Sequence, residues 1–204
     1  MSLMKSDILS LPGYRICEYK LVLQPHEELW NKIVHVKKDF AQKFDAPSAQ
    51  WGKPQITLAT YSQLQMMEER VCNRLKTIAM AMPAFKVELQ GYGSHPTHSI
   101  YIQVESKAPL QMVVKHLKTA QSLLKTKEHK PHFLDSFFIP VARQLLPWQY
   151  EKSWLEFSQK HFSGRFIAKN MLLLRRGEGV KAYQAIARFE FLNMPVVTRQ
   201  GALF

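Results

Sequence analysis

Two short apolar runs about eighty residues apart constrain the fold of this chain more than any other feature. They are Lys53-Pro54-Gln55-Ile56-Thr57-Leu58-Ala59-Thr60 and Phe138-Ile139-Pro140-Val141-Ala142-Arg143. Aligned, Gln55 falls on Phe138, Ile56 on Ile139, Thr57 on Pro140, Leu58 on Val141 and Ala59 on Ala142. Each reads as a strand, and each is followed by an amphipathic helical pattern. The pair predicts an internal duplication in which each half sends one strand to a shared cleft. The polar positions are unusual: one run offers an amide and a hydroxyl, the other a phenyl ring and a proline.

The surrounding elements support that reading. Residues 14–23 alternate and are rich in Tyr, Ile, Val and Leu, predicting a strand. Glu27-Glu28 open a helix to about Phe44, with Leu29, Ile33, Val36 and Phe40 on one side. After the strand at 52–60 come a helix over 63–81 and a strand over Phe85–Gly91. The cycle then restarts: strand Ser99–Glu105, helix Pro109–Thr126, a polar loop over 127–135, strand 136–143, helix Pro147–Phe162. A strand over Gly164–Arg175 and a segment Lys181–Phe191 close the order. The runs before the helices alternate, which favours antiparallel sheets covered by helices on one face. The expected architecture is α+β: one domain over 1–204 made of two pseudo-symmetric lobes, about 14–92 and 98–191, facing each other across a central cleft.

Composition narrows the function. The chain is 46% hydrophobic and 22% charged, ordinary for a globular protein. No apolar run approaches the roughly 18–20 residues of a membrane span. The N-terminus lacks a basic-then-apolar signal, which predicts a cytoplasmic protein. Cys17 and Cys72 lack metal-ligand spacing and read as buried thiols in a reducing compartment. There is no Walker loop, Rossmann fingerprint or His-Glu-x-x-His helix, so neither a cofactor nor a metal is expected. With 28 Lys+Arg against 16 Asp+Glu, the net charge is +12. That surplus favours polyanionic partners, nucleic acid or nucleotide phosphate, over a merely soluble surface. The densest basic stretch, Lys115 to Lys130, lies largely on the wet face of a helix whose apolar side is Leu110, Val113, Val114, Leu117 and Leu124.

The duplication, the length, and the Lys-Pro-Gln-Ile-Thr-Leu and Phe-Ile-Pro-Val-Ala-Arg strands resemble the 2H phosphoesterase superfamily. The branch most similar is the LigT-like group of 2′–5′ RNA ligases and RNA 2′,3′-cyclic phosphodiesterases, from about Tyr14 to Phe191. The resemblance implies two His-x-Thr/Ser motifs on symmetry-related strands. One imidazole would act as base and the other as acid, with the hydroxyls holding phosphate. Carried onto this sequence, the first motif keeps Thr57 but has Gln55 for histidine. The second has Phe138 for histidine and Pro140 for the hydroxyl residue. Glutamine cannot titrate, and proline removes both the hydroxyl and a backbone N–H. A second register places His132, in Lys130-Pro131-His132, opposite Gln55, with Leu134 at the hydroxyl position.

Three functions follow. The first is a catalytically degenerate monomer that keeps the cleft for RNA ends or nucleotide phosphate, through Thr57, Gln55, Lys53 and Arg143. The second is an active phosphodiesterase in which His132 or His98 replaces the lost imidazoles. The third is an interaction protein whose cleft is filled by apolar side chains such as Phe138. His95 and His98 read either as groove-lining imidazoles or as polar turn residues. The aromatic series Trp148, Tyr150, Trp154 and Phe157 reads as core, with base stacking as the other reading.

Overall fold

The computed structural model describes residues 13–194, so the N-terminal segment read for a secretion signal lies outside the described residues. Among these residues nine strands and five α-helices follow in the order β1 (Ile16–Leu23), α1 (Glu27–Lys43), β2 (Ile56–Leu64), α2 (Glu68–Met80), β3 (Phe85–His95), β4 (Ser99–Val104), α3 (Lys107–Lys118), α4 (Gln121–Leu124), β5 (His132–Phe133), β6 (Phe138–Ala142), α5 (Pro147–Phe157), β7 (Ser163–Ala168), β8 (Asn170–Arg176) and β9 (Gln184–Glu190). A 3₁₀ turn, Pro47–Trp51, leads into β2. Every strand pairing is antiparallel. One sheet has the order β5-β2-β1-β8-β9 and the other β6-β4-β3-β7. The α+β expectation of two antiparallel sheets flanked by helices is met.

The sheets do not coincide with the halves 14–92 and 98–191. β3, the last strand of the first half, pairs within the second sheet, whereas β8 and β9 of the second half complete the first. The expected single strand over Gly164–Arg175 is two strands in different sheets, interrupted at Lys169. Burial shows why. In β7 only alternate residues, Phe166 and Ala168, are buried, but Met171, Leu172, Leu173 and Leu174 are buried without a break. A half-covered strand thus gives way to one enclosed on both faces. The helix expected over Pro109–Thr126 breaks between Lys118 and Gln121, and the loop over 127–135 contains β5. The strand read at 52–60 sits four residues later, at Ile56–Leu64.

In β1, Cys17, Tyr19 and Leu21 enter the main core, while Glu18 and Lys20 point to the opposite face. On that face Val22, Leu172 and Leu174 form a separate small apolar cluster with Tyr183 packed against it. The second face of the first sheet is therefore part apolar and part charged, with both signs present. Helix α1 packs against β6 and β7 of the second sheet although it follows β1 of the first. This crossover lets α1 contribute to the wall between the sheets.

Gly93 illustrates how tightly the second sheet is built. A Cβ there would lie 2.5 Å from Tyr101 Cε2. Tyr101 in turn packs at a tilt against Phe138 and His95, with ring centroids 4.7 and 4.8 Å apart. Gly93→Val must displace Tyr101 and is expected to cost about 1–3 kcal/mol. Thermal unfolding measures the loss, and a cost under about 0.5 kcal/mol would contradict this packing.

Candidate functional site

A cleft of about 580 Å³ opens between the start of β2, the end of β6 and the 3₁₀ turn before β2. Its lining includes Gln55 and Thr57 from one run, and Pro140, Val141, Arg143 and Gln144 from the other. The structure thus brings together Gln55, Thr57, Lys53, Pro140 and Arg143. It does not bring in Phe138. The cleft lies along the C-terminal end of β6, and Phe138, two residues before Pro140, is held by Tyr101 and by His95 at 5.2 Å. An apolar plug formed by Phe138 is therefore not what occupies this space.

The histidines read as substitutes lie elsewhere. His132 is in β5, where it pairs with Thr60 at the edge of the first sheet. It lines a different depression, with Glu18, Tyr61, Glu128 and His129. His98 is exposed on the β3–β4 turn, with Nδ1 2.9 Å from the Pro96 carbonyl oxygen, and its ring stacks on His95. Neither belongs to the cleft lining.

Three lysines missing from the motif reading, Lys20, Lys37 and Lys181, join Lys53 and Arg143 in setting the electrostatics. All five line the cleft, and among the described residues no aspartate or glutamate does. Lys37 is the least expected. It lies on the apolar stripe of α1 one turn after Ile33, and only 3% of it is exposed. Its ammonium donates to the carbonyl oxygens of Pro140 and Val141 at 3.1 and 2.9 Å. β6 is an edge strand, which is where a proline is tolerated. Lys37 thus gives a charged donor to two carbonyls of β6 at the place where its pairing with β4 shifts register.

No carboxylate pairs with Lys37 among the described residues. Burial, followed by the Arg143 guanidinium, lowers its pKa to about 8. Burial also lowers the pKa of Lys20, with Arg143 and Arg176 adding to it and Glu18 opposing. Arg143 itself is lowered by desolvation, though an arginine stays protonated. Glu18 is engaged outside the cleft, with Arg176 and the Tyr183 hydroxyl. The result is a pocket of mutually repelling cations, a field that favours an anion.

Gln55 adds a polar acceptor. Its Oε1 is buried and has no hydrogen-bond partner among the described residues. Cys17 and Cys72 are free thiols raised in pKa first by burial, which disfavours the thiolate a nucleophile needs.

Comparison with known proteins gives the family and the fold. Residues 25–180 match the family described as the 2'-5' RNA ligase superfamily. The chain belongs to that superfamily. Among solved structures it is similar to E. coli LigT complexed with 3'-AMP, at 13% identity and TM-score 0.57, over 87% of this chain and 98% of that one. Thermus thermophilus TT0787 is similar at 15% identity and TM-score 0.57, over 86% and 98%. E. coli LigT complexed with phosphate is similar at 13% identity and TM-score 0.54, over 87% and 98%. At such identities the likeness establishes a common fold. No curated protein matches the sequence significantly.

His132 and His98 lie apart from the residues that shape the cleft. Lys37 was legible in principle, since a lysine at the Leu29–Ile33–Lys37 spacing interrupts an apolar stripe. Lys20 was legible as the outward position of an alternating strand. Lys181 and Tyr183 carried no local signal.

Proposed function

We propose that this protein is a catalytically degenerate member of its family that holds a phosphate-bearing RNA end or nucleotide in the cleft. The observation that carries this reading is a cavity lined, among the described residues, by five cations and no carboxylate. Arg143 suits a bidentate grip on phosphate, and the Lys37 ammonium adds a charge at the wall of the site. The Thr57 hydroxyl can donate to a phosphate oxygen. Lys20, Lys53 and Lys181 surround these groups and raise the local anion concentration. The complexes of E. coli LigT with 3'-AMP and with phosphate support a phosphate-bearing ligand for a cleft of this fold.

Proton transfer is where the reading departs from an active phosphodiesterase. A positioned acid or base contributes roughly 10²–10⁴ to rate. The two positions offer an amide at Gln55 and, at Phe138, a ring packed away from the cleft. Titration of the protein with 3'-AMP by calorimetry is expected to give binding that weakens as salt rises. Arg143→Ala should weaken it by about ten-fold or more. Turnover of a 2′,3′-cyclic nucleotide at the rate of two-histidine relatives would overturn the degenerate reading. Undetectable binding at low salt would overturn the phosphate site.

A further inference from the structure

We propose that Trp51 is a base-stacking platform at the mouth of the cleft, so that the site takes a nucleobase-bearing phosphate with the phosphate innermost and the base outermost. This inference rests on the phosphate reading above and adds a specificity that phosphate binding alone does not require.

Trp51 closes the 3₁₀ turn Pro47–Trp51 and is 74% exposed, although indole is among the costliest groups to leave in water. A single exposed apolar side chain needs no explanation by itself. Trp148, half exposed on α5, and Leu155, more exposed still, lie outside the cleft lining. Trp51, by contrast, is part of the wall that carries Lys20, Lys37, Lys53, Arg143 and Lys181. Among the described residues, its ring makes no stacking or cation–π contact. The other aromatic residue in the lining, Tyr183, already has Lys20 and Arg176 over its ring, at 4.3 and 4.8 Å. Trp51 is thus the aromatic surface of the cleft that is left for a ligand.

Its placement sets the ligand's orientation. The next residue, Gly52, lies so close to Lys37 that a Cβ on it would be 3.4 Å from the ammonium nitrogen. Adjacent Cα atoms are about 3.8 Å apart, so the indole is rooted one residue from the buried cation. A nucleoside monophosphate spans that gap. Phosphate reaches Lys37 and Arg143 while its base lies over the indole. A cavity of about 580 Å³ falls in the range that holds small ligands. Stacking is tolerant of base identity because each base has a π-face.

Calorimetric titration of wild type, Trp51→Ala and Trp51→Phe with AMP, UMP and ribose 5-phosphate tests the inference. Wild type should bind AMP about ten-fold or more tightly than ribose 5-phosphate, with UMP close to AMP. Trp51→Ala should bring AMP down to the ribose 5-phosphate level and leave ribose 5-phosphate itself unchanged. Trp51→Phe should retain most of the preference. Equal wild-type affinity for AMP and ribose 5-phosphate overturns the stacking role and leaves the phosphate site standing. A uniform loss for all three ligands in Trp51→Ala also overturns it, because it marks a structural role. If none of the ligands binds wild type, the phosphate reading falls and the stacking platform with it.

Discussion

Raising the pH from 7 to 9 should weaken phosphate binding in the cleft by about ten-fold, and Lys37→Met should remove that dependence. The cause is the Lys37 ammonium, whose pKa is lowered to about 8 by burial and by Arg143. A phosphate favours the charged lysine, so by linkage the site loses affinity as the proton leaves. AMP is a suitable ligand because a phosphomonoester has its second pKa near 6 and is already dianionic in this window. Lys37→Met should bind more than about ten-fold more weakly at pH 7, since a charged donor is lost.

Stability without ligand should move the other way. The unfolded chain holds the Lys37 proton up to its ordinary value of 10.5, whereas the folded chain releases it above about 8. Between those values the unfolded state binds more protons, so stability gains with rising pH and loses it as pH falls toward 8. Relative to Lys37→Met, wild type should gain up to about 1.4 kcal/mol per pH unit in that window. Taking the difference between the two proteins removes the contributions of the thiols and tyrosines that titrate nearby. Calorimetric affinities from pH 7 to 9, with denaturant unfolding from pH 7 to 10, check both directions. A flat affinity profile for wild type would exclude Lys37 from the site.

Leu21→Ala should cost about 3–5 kcal/mol and lower Tm by roughly 10 °C. Leu21 is fully buried in β1, where it pairs with Ala59 of β2 on one side and Leu173 of β8 on the other. β1 is the central strand of the five-stranded sheet, so a void there has no mobile edge to collapse into. Ile167→Ala is the control: Ile167 is exposed on β7, and its truncation should change stability by less than about 0.5 kcal/mol. A loss below about 1 kcal/mol for Leu21→Ala would mean that the first sheet is not assembled around β1.

These two residues mark the boundary between what was legible and what was not. Leu21 sits in an alternating segment, and alternation shows that it faces a core. Lys37 shows only as an anomaly, a lysine on the apolar stripe of α1, and the stripe does not say what the amine meets. It meets the edge of β6, more than a hundred residues later in sequence. Gln55, Thr57, Pro140 and Arg143 could be nominated from two similar runs, and they share one cleft. Phe138 could be nominated by the same alignment yet packs with Tyr101 and His95, because β6 enters the cleft only at its C-terminal end.

Sequence by itself determined the α+β class and the position of most elements. Periodicity and residue chemistry are local properties, so they can be read along the chain. Tertiary structure alone decided that β8 joins β1 rather than continuing β7, and that α1 crosses to the other sheet. It likewise decided that five distant cations share a cavity that holds no carboxylate among the described residues. Strand pairing and cavity lining depend on which distant surfaces close on each other, and that free energy is distributed over the whole core rather than written in any one segment.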